Sequence, residues 1–170
     1  VAPDHPTAML NPPPPSDLLD ELAAFRNFVA NVLADDRRDW NYRPSPDEWS
    51  LTEIACHLRD VEHEVHQSRL RALLAEDGAF MPGVDADEWA IPRNYRAQAG
   101  RKALADFLAA RETTIKLLSD LPEEFWSRRG QHTFFGPTSL QEIVFLAVQH
   151  DRVHARQIDE LNDGTSAGIG

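Results

Sequence analysis

Cysteine is nearly absent from this sequence. Cys56 is the one thiol in 170 residues, which excludes an intrachain disulfide and fits a reducing compartment. Long apolar runs are missing as well: nothing approaches the roughly 18 consecutive apolar residues of a membrane span. Residues 1–11 show no basic region followed by an apolar one, so no signal peptide is expected and the cytoplasm is the expected location. Positive charge is scarce, with 17 Lys and Arg against 28 Asp and Glu and a formal charge of −11. Nucleic acids and anionic membranes are bound chiefly through cationic patches, so neither is an expected partner. No segment sustains period-two alternation, so no strand is assigned; a short one fits only at His132-Thr133-Phe134-Phe135.

What is present reads as helix. The length suits one domain with a real core, and 42% hydrophobic against 26% charged residues is a globular composition. Pro12 to Pro15 form a polyproline run, so residues 1–15 are expected to be a flexible arm. From Ser16 to about Arg38, Leu18, Leu22, Phe25, Val29 and Val32 recur at helical spacing. A second helix opens at Ser50-Leu51-Thr52-Glu53, which reads as a capping box, and runs to about Ala75. A third spans about Ala97 to Ser119, and Pro122 follows it. The fourth begins after a second capping box, read at Thr138-Ser139-Leu140-Gln141, and frays toward Gly164, leaving 164–170 as a flexible tail. Four amphipathic helices predict an all-α four-helix bundle over 16–163. Its connections, at about 39–49, 76–96 and 120–137, are longer than the usual bundle hairpin and leave room for crossovers.

The chemistry-bearing feature is His150-Asp151-Arg152-Val153-His154. Residues four apart on a helix project to the same side, and two imidazoles so placed can share one transition metal. The alternative is a pair of core histidines satisfied by neighbouring carboxylates. The zinc-protease pattern does not fit: Asp151 stands where such enzymes carry Glu, and little sequence after His154 is available for a downstream ligand. Upstream, His5 lies in the arm and His132 in a loop. On the second helix His57 lies on the shoulder of the apolar stripe, while His63 and His66 read as solvated surface residues. His57 is about two turns from its helix N-terminus, and the later pair about three turns from its helix C-terminus. Antiparallel packing of helices two and four would bring these levels within about one turn, which makes His57 the third ligand.

The stretch Trp49-Ser50-Leu51-Thr52-Glu53-Ile54-Ala55-Cys56-His57-Leu58 resembles the W-S-x-x-E-x-x-x-H-L signature of the DinB/YfiT-like family. His150 and His154, followed by Gln157-Ile158, match its second signature. The resemblance runs from about Leu18 to Leu161. It implies an up-down-down-up bundle in which helices two and four are antiparallel, and a metal held by His57, His150 and His154.

Three neutral imidazoles with open positions suit a divalent transition metal, zinc or nickel first, with iron, cobalt or manganese also suitable. Such an ion activates water for hydrolysis or holds a thiolate, and the resemblance favours transfer of a low-molecular-weight thiol to a small electrophile. A metal- or ligand-binding stress protein without turnover is the non-catalytic alternative. The expected partner is a small-molecule substrate, and a homodimer is compatible with all of this. Glu53 and Asp60 lie one turn either side of His57, and Asp151 follows His150; each could orient a ligand or act as general base, or be an ordinary surface carboxylate. Cys56, turned about 100° from His57, reads as a packed small side chain. Trp40 and Trp49 are expected at the entrance to helix two, and Trp89 either lines a cleft or pins its loop. Arg43, Arg59, Arg93 and Arg96 are the cations available to an anionic cosubstrate.

Overall fold

The computed structural model describes residues 10–166, with side chains to Asn162. His5, the first part of the expected arm and the end of the expected tail lie outside the described residues. The helices are α1 (Pro15–Ala34), α2 (51–75), α3 (Gly100–Ser119) and α4 (Leu140–Ser166). In α2, α-helix over Leu51–Val61 passes through a π-helical stretch, Glu62–His66, and resumes over Gln67–Ala75.

The helix ends follow local chemistry. Proline is tolerated at a first helical position because the missing N–H has no intrahelical partner there, and α1 starts on Pro15. It stops at Ala34, earlier than the expected Arg38, because the Asp35 carboxylate accepts the Arg37 backbone N–H and diverts the chain. Ser50 and Glu53 form the expected reciprocal cap of α2, whose apolar stripe then runs into the core. At α4 the cap falls one residue later than expected. Ser139 Oγ accepts the Glu142 N–H, and the Glu142 carboxylate accepts the Ser139 N–H. Helix α3 begins at Gly100 rather than Ala97, after a 3₁₀ turn at Tyr95–Ala97. A Cβ at Gly100 would lie 2.5 Å from Thr52 Oγ1, so glycine lets the starts of α2 and α3 approach this closely.

Side-chain contacts give the topology. Leu51 lies beside Leu161 and Leu70 beside Ile143, so α2 and α4 are antiparallel. Thr52 meets Gly100 and Gln67 bonds to Ala110, so α2 and α3 are parallel. Arg101 reaches Leu33 and Arg26 pairs with Glu112, which sets α1 against α3. Gln141 donates to the Pro13 carbonyl and Arg152 to Glu21, so α1 and α4 run together. The order is up-down-down-up.

Beside the expected four-helix bundle lies one small three-stranded sheet. Strands β1 (Phe80–Met81), β2 (Arg129–His132) and β3 (Gly136–Ser139) lie in that order, β1 parallel to β2 and β2 antiparallel to β3. The segment expected as a strand, His132 to Phe135, contributes only His132 and otherwise forms the hairpin turn. Strands this short carry too few residues to show period-two alternation.

The core divides in two. One cluster gathers Phe25, Val29, Ile54, Leu58, Leu104, Phe107 and Ile158; the other gathers Leu18, Leu22, Leu70, Leu73, Leu118 and Val144. Each buried side chain of this size contributes about 1.5–3 kcal/mol relative to exposure. Between the clusters lies a belt of buried polar residues: His57, Glu62, His66, Arg111, Thr114, Asp151 and His154.

Candidate metal centre

The belt holds two polar clusters. In the first, the Nε2 atom of His57 is 3.0 Å from that of His150, which is 3.1 Å from that of His154. All three donor atoms lie within 4.8 Å of one another. Imidazole nitrogens about 2.0–2.1 Å from one zinc stand about 3–3.5 Å apart, so the spacing already suits a shared cation. The donor chemistry does too. A ring nitrogen offers either one N–H or one lone pair, so His150 Nε2 cannot complete two full hydrogen bonds to its neighbours. Three lone pairs aimed at one cation remove that conflict.

The electrostatics keep those lone pairs free. Burial, reinforced by His154 and His66, pushes the His57 pKa down to about 3. Burial, with His66, His154 and His57, holds His150 well below the ordinary imidazole range, and burial also lowers His154. All three are neutral at pH 7. Gln157 Oε1, 2.8 Å from His154 Nδ1, accepts the proton there and leaves Nε2 as the donor atom. The Trp49 ring packs on His57 with centroids 4.9 Å apart.

The second cluster is closed. Arg111, buried, donates Nε and Nη2 to Glu62 at 3.1 and 2.9 Å, and Nη1 and Nη2 to Asp151 at 2.7 and 2.9 Å. Thr114 Oγ1 donates to Glu62 at 2.7 Å. Burial, helped by the Glu62 charge and opposed by Arg111, raises the Asp151 pKa to about 6.

The other sequence candidates fall as follows. Glu53 accepts from Arg43 and the Ser50 backbone; Asp60 accepts from Tyr95 Oη at 2.7 Å, Arg59 at 2.7 Å and Arg93 at 2.8 Å. Asp151 is bound to Arg111, and among the described residues none of the three bonds to a triad imidazole. Arg43, Arg59 and Arg93 are thereby engaged by carboxylates, while Arg96 is exposed. Cys56 is fully buried and its thiol pKa is pushed up to about 11 by burial. Trp89 packs against the core under the Arg93 guanidinium, 4.0 Å away, and pins its loop.

His66 corrects the surface reading. It is buried, its ring stands edge-on to His150 with centroids 5.5 Å apart, and its Nε2 has no hydrogen-bond partner. A π turn takes up one residue more than an α turn and so shifts phase by about 100°, a rotation that 3.6-residue periodicity misses. Two further residues escaped the sequence reading. Arg111 occupies the apolar phase of α3, four residues from Phe107 and from Ile115, so a charge in a core phase was its visible signal. Asp87, in the 3₁₀ turn Ala86–Trp89, brings Oδ1 to 4.0 Å from His57 Nε2. Nothing local marked it out from its acidic neighbours.

His154 opens onto a groove of about 640 Å³, with Asp47, Glu48, Trp49, Asp87 and Glu160 among its walls. Among the described residues, no helix is long and apolar enough to cross a membrane.

Comparison with known proteins agrees with the fold. A sequence profile of the DinB superfamily matches residues 36–158. YfiT from Bacillus subtilis, reported as a probable metal-dependent hydrolase with an unusual four-helix bundle topology, superposes with a TM-score of 0.70. It is 18% identical, and the match covers 88% of this chain and 85% of that one. Among curated proteins none matches the sequence.

Proposed function

This chain belongs to the DinB superfamily, and from that membership and the geometry above we propose that it is a metal-dependent hydrolase of a small molecule. The carrying observation is the convergence of three neutral imidazole Nε2 atoms beside an open groove. His57, His150 and His154 would hold a divalent transition metal, which supplies Lewis acidity and lowers the pKa of a water toward 7. The chain itself sets the ring orientations, through Gln157 on His154 and Trp49 on His57, and shields the donor atoms within the bundle. The reported hydrolase character of YfiT supports the same reading.

Thiol transfer, which the family resemblance favours, fits the groove less well. Bacillithiol and glutathione are anionic, whereas Asp47, Glu48, Asp87 and Glu160 line this groove against Arg156 alone. Arg43, Arg59 and Arg93 are already paired with carboxylates. Repulsion between like charges disfavours such a cosubstrate.

The test joins elemental analysis to a substrate panel. Native protein should carry about one transition metal per chain, and His150→Ala should lose it. The metal-loaded protein should cleave one or more of a set of esters, amides and lactones. Metal-dependent conjugation of a thiol panel without hydrolysis would move the assignment to thiol transfer. Tight metal binding with neither activity would make this a binding protein.

A further inference from the structure

Deepening the hydrolytic reading and resting on it, we infer that Asp87 is a catalytic carboxylate of this site, the acceptor for the water that attacks the substrate. Its Oδ1 lies 4.0 Å from His57 Nε2, the ring nitrogen that faces the centre of the triad. Two nitrogen or oxygen ligands of one zinc-sized ion, each about 2.0–2.2 Å from it, stand at most about 4.3 Å apart. Yet the described donor atoms that all lie within 4.8 Å of one another are the three imidazoles, with no carboxylate among them. Asp87 therefore stands just outside ligation and within reach of a molecule bound at the open side. That side is the groove, which Asp87 and His154 both line.

The position is built. The Asp85 carboxylate accepts the Asp87 N–H at 3.3 Å and starts the turn. Two residues on, Trp89 lies under Arg93, and Arg93 donates to Asp60 and Glu64 of α2, the helix that carries His57. The loop is thus tied to the element bearing a triad member. Asp87 also keeps its charge available. Glu53, Asp60, Glu62 and Asp151 are each bonded to a guanidinium, whereas Asp87 is 79% exposed and its ion-pair neighbour is the neutral His57 ring. Asp47, Glu48 and Glu160 share the groove, but among the described residues Asp87 is the carboxylate that comes within 4.0 Å of a triad nitrogen.

The step balances with water alone. One O–H bond of the water breaks, its proton passes to the Asp87 carboxylate, and the oxygen forms a bond to the substrate's acyl carbon. Asp87 then returns the proton to the leaving group as the acyl bond breaks.

The test compares wild type with Asp87→Asn and Asp87→Glu after loading with Co²⁺, whose visible spectrum reports coordination. Asp87→Asn should keep the wild-type spectrum, because no ligand is lost. It should bind azide about fivefold more tightly, because one negative charge 4.0 Å from His57 Nε2 is gone. Hydrolysis should fall at least about 100-fold in kcat with KM little changed, and Asp87→Glu should recover part of it. A changed spectrum in Asp87→Asn would make Asp87 a ligand and overturn the inference. Unchanged azide affinity and unchanged kcat would make it a solvated surface residue and also overturn it. Failure of the wild type to bind Co²⁺ removes both this inference and the reading beneath it. Co²⁺ binding and the azide shift without any hydrolysis would sink the hydrolase reading and the catalytic role together, leaving only the placement of the charge.

Discussion

The histidine triad and the Arg111 cluster occupy the same belt and use the same helices, α2 and α4, yet they are opposite in kind. Around Arg111 four N–H bonds run to Glu62 and Asp151, with two carboxylates and a guanidinium interlocked out of water. Around His57, His150 and His154 three ring nitrogens converge, His150 Nε2 lying 3.0 and 3.1 Å from the other two, with one flank on the groove. Burying a polar group is cheap only when its partners are present. The first cluster meets that condition from within the chain and holds three helices in register. The second meets it only with a cation added. The difference separates a cluster satisfied by its own side chains from one whose ring nitrogens face one another.

The largest expected effect breaks the closed cluster. Arg111→Ala leaves Glu62 and Asp151 buried together without their cation, and urea unfolding should show a loss of about 3–5 kcal/mol. A loss below about 1 kcal/mol would mean the network is solvated and the contrast is misplaced. The next effect concerns the open cluster. At a free metal concentration about 1,000 times Kd, metal should stabilise wild type by about 4 kcal/mol, seen as a raised Tm. His150→Ala should show no such gain; a gain of similar size in that variant would place the metal elsewhere.

Acid separates the clusters by sign in the metal-free protein. His57 is held near 3 when folded against an ordinary 6.5, so its contribution to stability is complete above 6.5 and is lost as pH falls toward 3. Asp151 is raised to about 6 from 3.8, so its contribution is complete below 3.8 and is lost as pH rises through 6. Each slope is at most about 1.4 kcal/mol per pH unit. Over pH 4–6, His57→Ala should therefore flatten the acid loss and Asp151→Asn should steepen it. The same change in both variants would show that neither group governs the profile. The smallest effect is a control on the shared helix. Ser139→Ala removes the α4 cap and should cost about 1 kcal/mol while leaving metal affinity within about twofold. A large fall in affinity would mean that the triad reports global stability rather than its own geometry.

Much of this architecture was legible locally. The apolar stripes marked four helices, Ser50 with Glu53 fixed the start of α2, and the four-residue spacing of His150 and His154 put two imidazoles on one side. His57 followed from matching levels along two helices, an argument that needs only rise per residue and an antiparallel pair. His66 was misread because the π stretch breaks the repeat on which such phase arguments depend. The hairpin was misplaced because its strands are too short to alternate, and Asp87 was missed because its approach to His57 depends on where a long loop comes to rest.

The sequence by itself determined the helices, their caps and the pairing of His150 with His154, since each depends on residues within about one turn. Only the tertiary structure decided that Asp151 turns to Arg111 instead of the triad, that Glu53 and Asp60 are held by arginines, and that Asp87 comes within 4.0 Å of His57. Those outcomes join residues 10 to 40 positions apart on different elements. Which of several available charges becomes a partner is set by burial and approach once the helices have packed, and chain spacing carries no record of that choice.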